Sequence, residues 1–289
     1  MNRRSLIKST IVTAAAAGAT WFDVPRLLAA AGARAESLKK YGGFPMGMQS
    51  YSLRGYGADE AYAKINQLGL HWVEPFRTHY PPTTNADAIK KMKTKLDALD
   101  MSVSAHGVHG FSKNHERNEL LFKFAKMAGF RNLSANPSAD SFDSLEKLVE
   151  QYDVRIAIHN HGPGALYDSV EDGLKAVKGR DKRIGFCADL GHYIRSGIKP
   201  EDAIEALTGR LYGIHLKDFA EMKKKTHGVI LGEGHMDVKA VFKALRKAKF
   251  PADGALSLEY EENPKNPIAD IRKCLKAAAA GAKAALKGG

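Results

Sequence analysis

In the second half of the chain, four apolar, strand-like runs end on side chains that can hold a metal ion: RIAIHNHG (155–162), RIGFCADLGH (183–192), LYGIHLKD (211–218) and ALSLEYEE (255–262). Successive side chains of a strand point to opposite faces, so Ala157, His159 and His161 share one face while Ile156 and Ile158 share the other. The same parity sets Gly185, Cys187 and Asp189 against Ile184, Phe186 and Ala188, and Gly213, His215 and Lys217 against Tyr212, Ile214 and Leu216. In the last run Ser257, Glu259 and Glu261 oppose Leu256, Leu258 and Tyr260. One face thus begins small and ends polar every time. Strands of a closed parallel barrel carry this pattern, with an apolar outer face under helices and reactive groups at the C-terminal mouth.

The rest of the chain supports that architecture. Strand-like segments at 47–52, 71–76, 102–106, 131–135, 154–160, 183–189, 210–216 and 254–260 alternate with amphipathic stretches such as NADAIKKMKTKLDALD and DVKAVFKALRKAKF. Eight such repeats predict a single (β/α)8 TIM barrel rather than an open doubly wound sheet, and no G-x-G-x-x-G follows the first strand to suggest a dinucleotide site. A length of 289 residues accommodates one such barrel of about 250 residues plus a leader.

Residues 1–35 read as that leader, leaving 36–289 as the barrel domain. Arg3 and Arg4 precede an apolar stretch from Ile11 to Val24, and Ala33-Arg34-Ala35 has the A-x-A form of a cleavage site. The paired arginines resemble a twin-arginine export signal, which implies a periplasmic protein. The apolar stretch, broken by Asp23, is too short to span a bilayer, and no other segment is long enough. The formal charge is +12, but the leader holds five basic residues and one acid, so the remainder carries 39 basic against 31 acidic groups, or +8. Much of this excess sits in Lys223, Lys224, Lys225 and the last helix without interleaved aromatic residues, as expected of a solvated face and not of a nucleic-acid platform. Cys187 and Cys274 are expected as buried free thiols. Lysines and glutamates in the last loops leave a homo-oligomer possible.

The strand-end groups His159, Asp189, His215 and Glu259 are separated by 30, 26 and 44 residues. The first two gaps suit one β-α-β unit of about 30 residues each, and the Gly-punctuated THGVILGEGHMD fills the third. Four such groups from adjacent strand ends would converge on one divalent metal ion.

The segments AIHNHG, ADLGH, HLKD and SLEYE, in this order and with LGEGHMD before the last strand, resemble the xylose isomerase-like barrel superfamily over residues 45–265. That superfamily includes sugar isomerases and epimerases, inosose dehydratases and, more distantly, an abasic-site endonuclease. The resemblance implies a metal held by His159, Asp189, His215 and Glu259, with His192, Lys217 and Glu74 at the substrate. The chain departs from the epimerase pattern at His159, where a glutamate is usual, so a pair of carboxylates on opposite faces of the substrate is incomplete. With two carboxylates rather than three, the site would favour Mn, Co, Fe or Zn over Mg, and His161 could take the metal position in place of His159.

The expected activity is that of a metal-dependent isomerase or epimerase acting on a ketose, inosose or oxidised sugar without phosphate. A lyase or dehydratase is the runner-up. A non-catalytic sugar-binding barrel and an abasic-site endonuclease are further alternatives. Glu259 is the candidate base, and His161, His192 or Lys217 the candidate acid, with the lysine pKa expected to be lowered beside a metal. His106, Arg54 and Trp72 are expected at the substrate because they lie near the ends of the first three strands, and Glu233 and His235 are placed to close over it.

Overall fold

The computed structural model describes residues 24–287, so most of the expected leader lies outside the described residues. Eight barrel strands form, as the alternation requires: β1 Met46–Gln49, β2 Trp72–Glu74, a third in two pieces (β3 Ser102–Val103 and β4 His106–Phe111), β5 Asn132–Pro137, β6 Arg155–His159, β7 Ile184–Asp189, β8 Leu211–Leu216 and, after a small hairpin of β9 Asp218–Phe219 and β10 Gly228–Val229, β11 Ala255–Leu258. The sheet order is β3-β2-β1-β11-β8-β7-β6-β5-β4, with every pairing parallel. The two pieces of the third strand stand at its two ends and bring it nearly to closure.

The inward and outward faces follow the parity of the sequence. Ile156, Ile158, Ile184, Phe186, Ile214, Leu216, Leu256 and Leu258 are buried. On the inner face Ala157 lies level with Gly185, and Cys187 with Gly213. A Cβ on Gly213 would stand 2.9 Å from Cys187 Sγ, so the small residue is what lets the larger neighbour fill the barrel axis. The outer helices bury one stripe each. In Val238–Lys247, Val241, Phe242 and Leu245 are buried, and the Asp237 side chain caps the first turn by accepting from Ala240 N at 2.9 Å. Cys187 and Cys274 are free and buried.

The sequence predicts one strand over 102–106, but the structure breaks it at Ser104 and Ala105 and extends it to Phe111. Asn132 Nδ2 donates to Ser104 O at 2.9 Å across the break, and His106 anchors the start of β4. His106 Nε2–H donates to Tyr80 O (2.8 Å), so its Nδ1 must accept from His109 Nε2–H (2.7 Å). His106 is therefore a buried structural residue and not the substrate contact expected. Burial pushes its pKa down to about 4 and that of His109 to about 3. Unfolded imidazole protonates near pH 6.5, so below that pH the unfolded chain binds more protons. The stability these residues contribute is complete above pH 6.5 and is lost as pH falls towards 4, by about 3 kcal/mol for His106 alone. Urea unfolding at about pH 7.5 and 4.5 checks this: His106→Gln should lose less stability between the two than wild type, and equal losses would count against the assignment.

Two expectations meet the N-terminal side of the barrel. The helix Val24–Lys40 runs straight through the expected cleavage point, and Arg34 pairs with Asp100 (2.7 Å) and donates to Ser102 Oγ (3.1 Å). Its guanidinium also lies 5.6 Å above the Trp72 ring. Trp72 is the first residue of β2, at the end of the strand away from the mouth, so it packs under Arg34 instead of meeting substrate. Among the described residues no helix is long and apolar enough to cross a membrane.

Candidate active site

The register of the strands brings the ligand candidates together. His159 is level with Cys187, and Asp189 with His215, while Glu259 follows Ser257, which pairs with His215. One donor atom from each of His159, Asp189, His215 and Glu259 lies within 4.8 Å of the others. His159 Nε2 is 3.0 Å from His215 Nδ1 and 3.4 Å from Asp189 Oδ2. His215 Nδ1 is 3.0 Å from Glu259 Oε2 and 3.8 Å from Asp189 Oδ2. Nitrogen and oxygen ligands at ~2.0–2.1 Å from a tetrahedral ion stand about 3.3 Å apart, which these separations bracket. Asp189 Oδ2 and Glu259 Oε2 are buried, with the Lys217 ammonium as their charge partner. Two imidazoles and two carboxylates that converge at these separations are the donor chemistry of a divalent metal, which the set therefore fits. His161 stands outside the cluster, its ring 4.7 Å from that of His159, so His159 is the imidazole placed to ligate.

Local sequence explains why these atoms point inward. Asp189 caps the helix Leu190–Arg195: Oδ1 accepts from His192 N at 2.8 Å, which leaves Oδ2 for the cluster. Asn160 locks the same backbone, giving Nδ2–H to Asp189 O (3.0 Å) and accepting from Asp189 N (2.8 Å). The glycine of D-x-G-H clears space for the lysine of H-x-K-D, since a Cβ on Gly191 would lie 2.7 Å from Lys217 Cγ. Asp218, the last residue of H-x-K-D, serves the loop and not the ion. It accepts from the backbone N–H of Gly232, Gly234, His235 and Met236 at 2.9 to 3.1 Å, pinning LGEGHM beside β8. Glu233 and His235 do not line the mouth.

Glu74 is fully buried beneath the cluster, a correction to the expected substrate contact. It accepts from His215 Nε2 (3.1 Å), Ser134 Oγ (2.5 Å) and Ser257 Oγ (2.8 Å). Burial would raise its pKa, but His215 and the two hydroxyls outweigh burial and hold it below the usual range. Glu74 thus fixes the tautomer and the aim of His215. Glu74→Gln should weaken metal binding roughly 10–100-fold with the fold intact, as metal-buffered titration would read. Unchanged affinity would remove Glu74 from this role.

Lys217 Nζ is 2.9 Å from Asp189 Oδ2, 2.7 Å from Glu259 Oε2 and 2.5 Å from Glu261 Oε1. Burial would lower its pKa, yet these three carboxylates hold it well above that of ordinary lysine, opposite to the lowering expected from the sequence. Burial instead drives His161 down to about 4 and His192 down to about 3. His192 Nδ1 accepts from Arg195 at 3.2 Å, so its other nitrogen carries the proton.

The mouth is a cavity of about 410 Å³. Its wall includes His159, His161, His192, Lys217 and Glu259, and also Gln49, Tyr51, Phe76, Arg77 and Glu261, most of which pattern alone did not single out for the site. Arg54 is not in the wall. It stacks on Tyr51 with its guanidinium 4.7 Å from the ring and donates to Glu261 O, so it braces two wall residues instead of meeting substrate directly.

Comparison with known proteins agrees with the barrel fold. An inosose dehydratase of Clostridium botulinum is 26% identical over 220 residues, covering 70% of this chain and 72% of its own. A solved D-tagatose 3-epimerase-like protein is 18% identical with a TM-score of 0.68, over 84% of this chain and 99% of its own. The structure of the IOLI protein with a binding zinc atom is 16% identical with a TM-score of 0.68, over 83% and 98%. These two solved structures share the fold. A family model described as the xylose isomerase-like TIM barrel matches residues 62–278, and this chain belongs to that family.

Proposed function

We propose that the protein is a divalent-metal-dependent lyase that eliminates a β-oxygen substituent from an unphosphorylated inosose or 3-keto sugar. One observation carries this reading: both carboxylates in the wall of the mouth, Glu259 and Glu261, come from the segment after β11, while β6 and the residues after it contribute His159 and His161. Proton exchange on two faces by paired carboxylates has no wall carboxylate from a second strand to use. Elimination needs one base and one acid, and the 26% identical inosose dehydratase performs chemistry of this class by its name. Nitrogen and carboxylate donors suit zinc, manganese, cobalt or iron, and the fold relative with a bound zinc atom supports that choice.

The ion, held by His159, Asp189, His215 and Glu259, would supply Lewis-acid stabilisation of the charge that develops on the substrate oxygen. Glu259 takes the proton from the carbon beside the carbonyl, and that bonding pair becomes the new C=C bond. The C–O bond on the next carbon breaks, and Lys217 gives its proton to the departing oxygen. Of the three candidate acids Lys217 is the one kept protonated at neutral pH, because burial leaves His161 and His192 neutral. The proton on Glu259 then returns to Lys217 across their 2.7 Å contact.

A second reading, epimerisation, is favoured by His161, which lies in the wall beside His159 and could serve as the second base. Proton NMR in D2O on the zinc- or manganese-loaded protein separates the two. An unsaturated ketone from scyllo-inosose or 3-keto-glucose supports the lyase. A deuterated epimer with an intact skeleton supports the epimerase and sinks the lyase.

We also propose that residues 1–35 direct export to the periplasm, which fits a substrate without phosphate. A fusion of this segment to a folded reporter would reach the periplasm, and Arg3→Lys with Arg4→Lys would stop it. A cut after Ala35 would remove the Arg34 contacts with Asp100 and Ser102.

A further inference from the structure

We propose that the substrate carries an acidic second unit, and that Arg77 and Arg117 bind its carboxylate in a cavity beside the mouth. The identity of the first unit as a sugar rests on the reading above; the anion subsite stands on its own geometry. This second cavity, of about 530 Å³, shares Arg77 and Val108 with the mouth, so the two form one cleft divided by the segment just after the break in the third strand. Together they reach the upper end of the ~300–1,000 Å³ that small-molecule sites span, more than one sugar ring needs.

The chemistry of the second cavity differs from that of the first. Arg77 follows β2 and Arg117 sits in the first turn of the helix His115–Ala128. The lining contains no aspartate or glutamate, and among the described residues no carboxylate pairs with either guanidinium. Thr83, Thr84 and His109 add polar groups, while Leu120, 55% exposed, offers an apolar surface. Two uncompensated guanidiniums in one lining with the exposed Leu120 suit a ring that bears an acid, because guanidinium recognises carboxylate through paired charged hydrogen bonds. Free phosphate is a poorer match. Phosphate offers the guanidiniums the same charge but has no ring to cover Leu120.

The test is calorimetric titration of the metal-loaded protein with 4-carboxyphenyl β-D-glucoside and with the uncharged 4-methylphenyl β-D-glucoside. Wild type should bind the carboxylate about tenfold more tightly. Arg77→Gln with Arg117→Gln should abolish that preference without changing thermal stability, since both side chains are exposed. Excess inorganic phosphate should not compete. Equal affinities, no binding of either glucoside, a preference that survives in the double variant, or competition by phosphate would each overturn the subsite. Binding is read here without turnover, so failure of the lyase reading leaves a positive result standing, whereas an active lyase with no charge preference overturns the subsite alone.

Discussion

His215→Ala should leave a protein that folds but retains no divalent ion and turns over a keto-sugar about 10³-fold more slowly, or worse. His215 is the centre of the cluster: Nδ1 faces His159, Asp189 and Glu259, while Nε2–H is fixed by Glu74. Removing it deletes a ligand and leaves the buried Glu74 carboxylate without its charged partner. Elemental analysis beside wild type, with turnover of scyllo-inosose, checks both parts. Full metal content in His215→Ala would move the ion elsewhere. Metal loss without loss of turnover would remove the metal from the chemistry.

The second large effect belongs to Lys217. Lys217 is 4% exposed, and its ammonium contacts three carboxylates, two of them themselves buried. Removing one partner of a buried ion pair costs about 3–5 kcal/mol, because the remaining charges lose their compensation. For a barrel of this size, Lys217→Met in metal-free protein should therefore melt roughly 10 °C lower than metal-free wild type. A divalent ion brings positive charge to Asp189 and Glu259, so adding zinc or manganese should recover most of that loss. Turnover should stay low even with metal bound, since the proton donor is gone. Melting within about 2 °C of metal-free wild type would show that Lys217 does not neutralise these carboxylates. Metal-loaded Lys217→Met with wild-type turnover would assign the acid role elsewhere.

These two residues also show how much of the site is legible in the sequence. The inward parity of His159, Asp189, His215 and Glu259 is a consequence of the two-residue repeat of a strand, so sequence alone places them on one face at one end of the barrel. The same parity puts Lys217 in the mouth, but not its charge state, which depends on three carboxylates from two other segments. Trp72 and His106 depart from expectation because position near a strand end does not say which end, or whether a neighbour such as Arg34 or Tyr80 already occupies the side chain. Glu74 departs for a related reason, since depth within the barrel separates a group beneath the ion from one above it.

By itself the sequence determined the (β/α)8 alternation, the small-to-polar inner face and the set of metal-ligand candidates, because each depends on local periodicity along a strand. Tertiary structure alone decided the split of the third strand, the aim of His215 by Glu74, the caging of Lys217 and the second cavity at Arg77 and Arg117. Each of these depends on register between strands and on contacts between residues far apart in the chain, and pattern along one strand carries no information about either.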